Sequence, residues 1–189
     1  FPHVANDPGS LHDNGIASLV FDREGRLWAG GLEEGLNRYD AASGKFTHWE
    51  HDPHVPSSLS SDKVWTVAQD ADGSLLVGTV RGLDRLLPNG HGFEHVANPL
   101  LGTDPAAFGL VAALYVDRQQ QLWIGSSQGV FRRDVDGHMH LVSQRDTSVP
   151  IDAWHIDGDG GEVRIATSRG LLVVGKDDVA RPFGVGVIP

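Results

Sequence analysis

Residues 22–30 read Asp-Arg-Glu-Gly-Arg-Leu-Trp-Ala-Gly and are followed by Gly35-Leu36. The pattern returns as Asp70-Ala-Asp-Gly-Ser-Leu-Leu-Val-Gly78 with Gly82-Leu83, and as Asp117-Arg-Gln-Gln-Gln-Leu-Trp-Ile-Gly125 with Gly129-Val130. A weaker fourth copy begins at Asp157 and ends at Gly170-Leu171. The first three aspartates are spaced by 48 residues (70 minus 22) and 47 residues (117 minus 70). A fixed period of this length is typical of an array of similar structural units.

Each copy contains four short runs that favour strands. The first copy has an apolar run at 16–21, a second run at 27–29 after the Asp-x-x-Gly turn, and two more at 36–39 and 45–49. Four strands in about 47 residues leave room only for tight hairpins. No window shows sustained apolar spacing of i, i+3, i+4, i+7, which disfavours a helical solenoid. We therefore predict an all-β fold, a β-propeller with about four four-stranded blades.

The repeat also predicts where each blade begins and ends. We expect the outer strand of a preceding blade plus a linker at 1–15, then blades at 16–62, 63–110, 111–150 and 151–189. Residues 1–11 align with 49–59, so the chain begins within a repeat and reads as a piece of a longer array. A piece of a ring has open sheet faces. We therefore expect self-association as a homodimer or packing against neighbouring blades of the parent protein.

A set of recurring residues is expected to hold the scaffold. The tryptophans should pack between neighbouring blades, and the glycines should allow close backbone approach near the ring interior. These structural positions are Asp22, Trp28, Gly30, Asp70, Gly78, Asp117, Trp123 and Gly125. Gln120 replaces the turn glycine in copy three, and copy four has an extra glycine, so the strand register there is the least well defined.

Composition excludes several classes of protein. The formal charge of -10 and the pI near 5.3 leave no basic stripe, which argues against nucleic acid and anionic membrane surfaces as partners. The chain has no cysteine, so disulfides, thiol nucleophiles and thiolate metal sites are absent. No apolar stretch approaches the roughly 20 residues that span a bilayer, so a membrane anchor would lie outside this piece.

The turns between the second and third strands of each blade are candidate binding residues. In a propeller these turns share one face with the segments that enter the first strands, around the central channel. They carry Glu33, Glu34, Arg81, Gln128 and Arg169. Trp65 and Trp154, near the starts of inner strands, could stack on a sugar or a similar ring. The alternatives are ordinary solvated turns and buried packing.

Three further motifs are interpreted as structural. Gly125-Ser-Ser-Gln-Gly129 spells G-x-S-x-G, but it falls between two strands, whereas a hydrolase elbow needs a strand followed by a helix. The segment 157–162 resembles a calcium loop only in part and is expected to be a hairpin turn. His138 and His140 share one face of an outer strand without a clear third ligand. We predict no catalytic residue, no metal site and no cofactor.

The compound pattern resembles the two-component regulator propeller family. The resemblance rests on the Asp-x-x-Gly-x-Leu-Trp-x-Gly motif, on Gly78-Thr79, on 37–40, and on the linker from Asp52-Pro53 to Ser58-Leu59-Ser60. It covers nearly the whole chain. Leu76 and Arg164 depart from it, because the family usually has tryptophan at those positions.

The resemblance implies a non-catalytic, ligand-sensing module of a bacterial transmembrane receptor. Such propellers form the periplasmic region of hybrid histidine kinases or diguanylate cyclases, whose chemistry would reside in other domains, and the membrane would be reached only through segments absent here. The expected ligand is a small molecule or an oligosaccharide. Two alternatives remain: a structural propeller that docks proteins, and an enzyme resembling the streptogramin lyases.

Overall fold

The computed structural model describes residues 4, 7–11, 15–144, 150–159 and 161–183, with only the backbone of Gln144. These residues form sixteen strands and one short 3-10 helix, Pro105–Phe108. The strands of the first two blades are β1 (Ile16–Phe21), β2 (Leu27–Gly31), β3 (Leu36–Asp40), β4 (Lys45–Trp49), β5 (Val64–Gln69), β6 (Leu75–Thr79), β7 (Gly82–Leu86) and β8 (Phe93–Val96). Those of the last two blades are β9 (Val111–Val116), β10 (Leu122–Ser126), β11 (Gly129–Arg133), β12 (Met139–Gln144), β13 (Ala153–Asp159), β14 (Glu162–Thr167), β15 (Gly170–Val174) and β16 (Val179–Pro182).

Each group of four consecutive strands pairs antiparallel in chain order, as the repeat predicts. The all-β propeller fold is therefore confirmed. The outer strands of blades 3 and 4 also pair with each other. Ser143 lies opposite Val179 in a parallel β12–β16 ladder, which joins the two blades into one eight-stranded sheet. Within the described ranges, no helix has the length and hydropathy needed to cross a bilayer.

The hydrophobic core lies between blades rather than within them. Trp28 and Leu36 of blade 1 pack with Val64 and Val77 of blade 2 in one buried cluster. The corresponding residues of blades 2 and 3, then of blades 3 and 4, form two further clusters, and Trp123 lies in the last of them. Blades 2 and 3 therefore each bury one face against the preceding blade and the other against the following blade.

The glycines at the inner end of the second strands of blades 1 to 3 permit this packing. A Cβ at Gly30 would lie 2.6 Å from Val64 Cγ1, and a Cβ at Gly125 would lie 2.6 Å from the Cβ of Ala153. Real Cβ atoms do not approach so closely, so adjacent blades could not meet here with a larger residue. The close backbone approach expected from the sequence is present.

The aspartate of the repeat caps its own turn and anchors the tryptophan. Asp22 accepts backbone hydrogen bonds from Glu24 and Arg26, and its Oδ2 accepts the indole N–H of Trp28 at 2.8 Å. Burial opposes ionisation of Asp22, but the hydrogen bonds from Trp28 and Arg26 outweigh it and lower the pKa. Asp117 and Trp123 repeat the contact at 2.9 Å.

Blade 2 replaces this contact with an ion pair between blades. Leu76 stands at the tryptophan position, and Asp70 Oδ2 instead lies 2.5 Å from Arg133 Nη2 of blade 3. The Asp70 side chain is only 1% exposed. A buried carboxylate needs such a partner, so the arginine compensates for the missing indole N–H.

The fourth copy differs from the sequence-based alignment. Its first two strands, β13 and β14, pair with each other as far as Asp159 opposite Glu162. Asp157 therefore lies within β13, opposite Arg164. The prediction that Asp157 opens the turn is therefore wrong. Ile156 pairs as Leu19 does in blade 1, so Asp159 rather than Asp157 takes the position of Asp22 at the end of the inner strand.

The preceding outer strand expected at 1–15 lies largely outside the described residues. In its described part, the Gly9 carbonyl accepts the Phe46 N–H at 2.9 Å. Ser57 and Phe93 make the same contact at 2.7 Å one repeat later. The two linkers therefore pack alike on the outer strands that follow them.

The outward face of blade 1 is apolar and exposed. Leu19 is 66% exposed, whereas its counterparts Val67 and Ile156 are buried against the preceding blades and Leu114 is partly buried. Phe21, two residues along β1, is 70% exposed. Blade 1 thus exposes the face that, in each of the other three blades, packs against the blade before it.

Candidate functional site

A β-bulge interrupts the inner strand of every blade at the same place. The pairing between the first and second strands shifts register beside Ala17, Trp65, Ala112 and Trp154. A bulge re-aims the side chain of the extra residue, and bulges are frequent next to functional sites. In each blade, the side chain of the bulge residue therefore departs from the alternation by which successive strand residues face opposite sides of the sheet.

Two of these four bulge residues are tryptophans, and they meet. The ring centres of Trp65 and Trp154 lie 6.5 Å apart with planes inclined by 60°. Trp65 belongs to blade 2 and Trp154 to blade 4, so the contact crosses the space in front of blade 3. The alternation of tryptophan and alanine around the inner strands leaves room for both rings. Trp154 remains 51% exposed.

The Trp65–Trp154 pair was only partly foreseeable. The sequence places both residues near the starts of inner strands, but it does not reveal that they face each other. The available signal was positional: in copies one to three the residue five places before the repeat aspartate is Ala17, Trp65 or Ala112. It is therefore the local bulge, repeated by the chain, that brings the pair together.

The predicted turn residues all lie between second and third strands. Glu33 and Glu34 fall between β2 and β3, where they join Glu50 and Asp62 around a shallow, open acidic pocket. Lys63 Nζ lies 3.2 Å from Glu33 Oε1. This acidic cluster belongs to the blade 1 side of the face.

The other three predicted turn residues carry basic or neutral side chains. Arg81, Gln128 and Arg169 lie in the corresponding turns of blades 2, 3 and 4, and all are exposed. Arg169 Nη2 donates to the Pro150 carbonyl at 3.1 Å, just before the inner strand that carries Trp154. The face therefore changes from acidic at blade 1 to basic at blades 2 and 4.

The remaining motifs adopt structural arrangements. Ser126 pairs directly with Gly129, so the G-x-S-x-G segment is a strand–turn–strand hairpin. His140 Nε2 lies 2.8 Å from Asp134 Oδ2, and His138 Nδ1 lies 3.0 Å from Asp136 Oδ2. Among the residues that the structure describes, no three His, Asp or Glu side chains are grouped as metal ligands.

Comparison with known proteins identifies the repeat. Residues 58–81 match the family profile described as the two component regulator propeller. These residues carry a two-component regulator propeller repeat. The resemblance inferred from the sequence is thereby confirmed, and the matched segment runs from the linker before blade 2 to the turn that holds Arg81. No curated protein sequence matches the chain.

Solved structures share the fold at low identity. The extracellular domain of BT3049 from B. thetaiotaomicron, described as a hybrid two component system, has a TM-score of 0.76 at 19% identity, over 95% of this chain. That of BT4673 from the same organism has a TM-score of 0.72 at 22% identity, over 91% of this chain. The chain spans 25% and 22% of those two structures, about a quarter of their length.

An enzyme also shares the architecture. Virginiamycin B lyase from Staphylococcus aureus aligns with a TM-score of 0.64 at 14% identity, over 93% of this chain and 58% of that one. Structural similarity at identities this low establishes the propeller fold alone. That fold supports many unrelated functions.

Proposed function

We propose that this regulator propeller is a non-catalytic, ligand-sensing module in the extracytoplasmic part of a bacterial transmembrane receptor. The observation that carries the proposal is the contact between Trp65 and Trp154, two bulge residues from non-adjacent blades. The structural comparisons also support the proposal, because the similar propellers of BT3049 and BT4673 are extracellular domains of signalling systems. The receptor output, a histidine kinase or a diguanylate cyclase, would belong to other domains.

The chemistry of the aromatic pair favours a ring-shaped ligand such as an oligosaccharide. An exposed indole offers an apolar face to the C–H side of a sugar, and its N–H remains free to donate. The exposed turn residues at the same end of the sheets, including Arg81, Gln128 and Arg169, supply groups that hydrogen-bond hydroxyls. The ligand would connect blades 2 and 4, so its binding would couple their relative positions.

Thermal melting with a panel of oligosaccharides tests the proposal. A ligand that binds only the folded state raises the melting temperature in a saturable manner. We expect Trp154→Ala to abolish that rise, and Trp154→Phe, which keeps an aromatic face, to retain most of it. Protection by a sugar that survives both Trp65→Ala and Trp154→Ala would contradict this site.

The same preparation separates the competing functions. Consumption of a streptogramin such as quinupristin, followed by mass spectrometry, would favour a lyase. Absence of both turnover and protection across the panel would instead favour a propeller that docks proteins. Either result would overturn the sensing proposal.

We further propose that the outward face of blade 1 packs against another four-stranded blade, supplied by the parent protein or by a second copy. The support is the equivalence of Leu19 with Val67, Leu114 and Ile156, which contact the blade before them. An apolar sheet face left in water favours association.

A further inference from the structure

A groove of about 550 Å³ lies between blades 1 and 2, at the end of the sheets that carries the aspartate turns. Most of its charged lining residues are paired with each other. Arg26 Nε lies 2.6 Å from Asp22 Oδ2, and Arg85 forms an ion pair with Asp72. Arg38 also lines this groove, together with the indole of Trp28.

Arg38 is held in place without a hydrogen-bond acceptor. Its guanidinium carbon lies 5.5 Å from the ring centre of Trp28 and 5.6 Å from that of Trp49. Cation–π contacts with two rings orient the group and restrict its motion. Among the described residues, no acceptor bonds its N–H groups and no carboxylate forms an ion pair with it. Its donors therefore remain available to a ligand.

The chain supplies two comparisons for Arg38 at the same register. Arg38, Arg85 and Arg132 lie opposite Trp28, Leu76 and Trp123 in their respective blades. Arg85 donates to Ser74 at 2.9 Å and pairs with Asp72, whereas Arg132 pairs with Asp134 at 3.1 Å and with Asp178. Of these three arginines, Arg38 alone forms no ion pair with a carboxylate.

The absence of a partner for Arg38 has a specific origin. Asp40 corresponds to Asp134, but its carboxylate accepts from the backbone of Ala42 and Ser43 in its own turn. In the next blade, Gly90 stands where Asp178 stands at the interface between blades 3 and 4. Each is the last residue of a turn: the Gly90 N–H donates to the Leu87 carbonyl, and the Asp178 N–H donates to the Gly175 carbonyl. Both residues also have a positive φ, 72° for Gly90 and 54° for Asp178.

At the interface of blades 1 and 2, the position equivalent to the Asp178 side chain is open space beside Gly90. A Cβ added at Gly90 would meet nothing within 4 Å. The Gly90 carbonyl accepts the Trp49 indole N–H at 3.0 Å, which ties this turn to the ring that contacts Arg38. The groove therefore has a fixed cation and, next to it, the space that an aspartate fills at the other interface.

We propose that this groove binds a small monocarboxylate through Arg38, with the ligand carboxylate taking the place that Asp178 occupies at the interface of blades 3 and 4. A guanidinium binds a carboxylate through two parallel N–H···O bonds, the strongest arrangement available to it. Glu94 lines the same groove and disfavours ligands with several negative charges. The site is distinct from the Trp65–Trp154 pair and does not depend on the proposed sensing function.

Titration with glucuronate, with glucose as its uncharged counterpart, tests the site by calorimetry and tryptophan fluorescence. We expect saturable binding of glucuronate, weaker binding of phosphate and no binding of glucose. Arg38→Gln should weaken glucuronate binding by about tenfold or more, the worth of a charge-assisted bond. Lack of glucuronate binding, tighter binding of phosphate, or equal binding by Arg38→Gln would overturn the proposal.

Substitution at Gly90 gives a matched pair that leaves Arg38 in place. Gly90→Asp installs the carboxylate of the other interface and should weaken glucuronate binding by about tenfold or more. Gly90→Asn has the same size, tolerates positive φ and lacks the charge, so it should bind within about twofold of the natural chain. Equal affinity of the two variants would contradict the proposed place of the ligand carboxylate. Circular dichroism of both variants verifies that they fold.

Discussion

His95 lies between two fixed hydrogen-bond acceptors, one at each ring nitrogen, and one of these acceptors is the buried carboxylate of Asp84. Nδ1 lies 2.7 Å from Asp84 Oδ1, and Nε2 lies 2.9 Å from the Pro56 carbonyl. Both acceptors favour protonation of the facing ring nitrogens, and the negative charge of Asp84 stabilises the imidazolium form. Asp84 also accepts the Ser60 N–H, so the pair fastens the linker before blade 2 onto that blade.

The free energy of unfolding should therefore fall as the pH rises above about 6.5. Burial alone lowers the pKa of His95, but the hydrogen bond and charge of Asp84 outweigh it and raise the pKa above its ordinary value of 6.5. A raised folded-state pKa adds stability that is fully present below the unfolded-state pKa and is lost as the pH passes the folded-state pKa. Urea unfolding across this pH window measures the loss.

The control for this pH dependence already exists in blade 1. His48 makes the equivalent contacts with the neutral Asn37 and the Pro8 carbonyl. Asp84→Asn converts blade 2 to that arrangement, and it should flatten the alkaline decline in stability. A decline as steep in Asp84→Asn as in the natural chain would exclude this ion pair as its cause.

Trp123→Ala should lower the free energy of unfolding by about 3 to 5 kcal/mol. The ring is buried between blades 3 and 4, and its N–H satisfies the Asp117 carboxylate. Trp154→Ala removes the same atoms from an exposed position, so it should cost less than about 1 kcal/mol. Chemical denaturation of both variants provides the comparison. Equal losses would contradict the observed packing.

Arg133→Gln should lower the free energy of unfolding by about 2 to 4 kcal/mol, since it leaves Asp70 buried without its main partner. The partial exposure of Arg133 places this value below that of a fully buried pair. Adding Asp70→Asn should recover part of the loss, because a neutral amide costs less to bury. If the double variant were no more stable than Arg133→Gln, the buried charge would not be the origin of the effect.

Gln120→Gly should raise the free energy of unfolding by about 0.5 to 1 kcal/mol. Gln120 has a φ of 63°, in the region where Gly25 and Gly73 lie at 76° and 89° in the corresponding turns. Removing the Cβ relieves strain in the folded state and adds backbone entropy to the unfolded chain, so only part of the strain energy is recovered. Gly73→Ala is the reverse test, and it should be destabilising.

Leu19→Lys should reduce concentration-dependent association if the outward face of blade 1 packs on another blade. The side chain is exposed in the single chain, so the substitution should leave its melting temperature nearly unchanged. Sedimentation velocity at increasing concentration measures the effect. Val135→Lys, at a similarly exposed apolar position on blade 3, is the control. Identical association of the two variants would place the contact elsewhere.

The fold was predictable because its signals are local and repeated. The Asp-x-x-Gly turns, the short apolar runs and the recurring glycines each specify a hairpin within a few residues, and the first three copies share the same spacing. The turn of blade 4 was misplaced because pairing continues for two residues beyond Asp157, to Asp159 opposite Glu162. Register depends on partner strands, and the sequence of one strand does not contain it.

The candidate sites were less predictable because they depend on residues far apart in the chain. Trp65 and Trp154 were both identified, but their contact joins non-adjacent blades. Arg38 was missed, although arginine recurs at 38, 85 and 132 at constant spacing. What distinguishes Arg38 is the absence of a carboxylate beside Gly90, and this becomes evident only when two interfaces are compared in three dimensions.

The parallel ladder between β12 and β16 divides the molecule mechanically. Backbone hydrogen bonds join the outer edges of blades 3 and 4, including Ser143 N–H to the Asp178 carbonyl at 3.1 Å. At their outer edges, the described parts of blades 1 and 2 have no such strand pairing. A torque applied to the rim of blade 4 would therefore turn blade 3 with it as one stiff lever, while the two preceding blades would yield by sliding at their side-chain contacts.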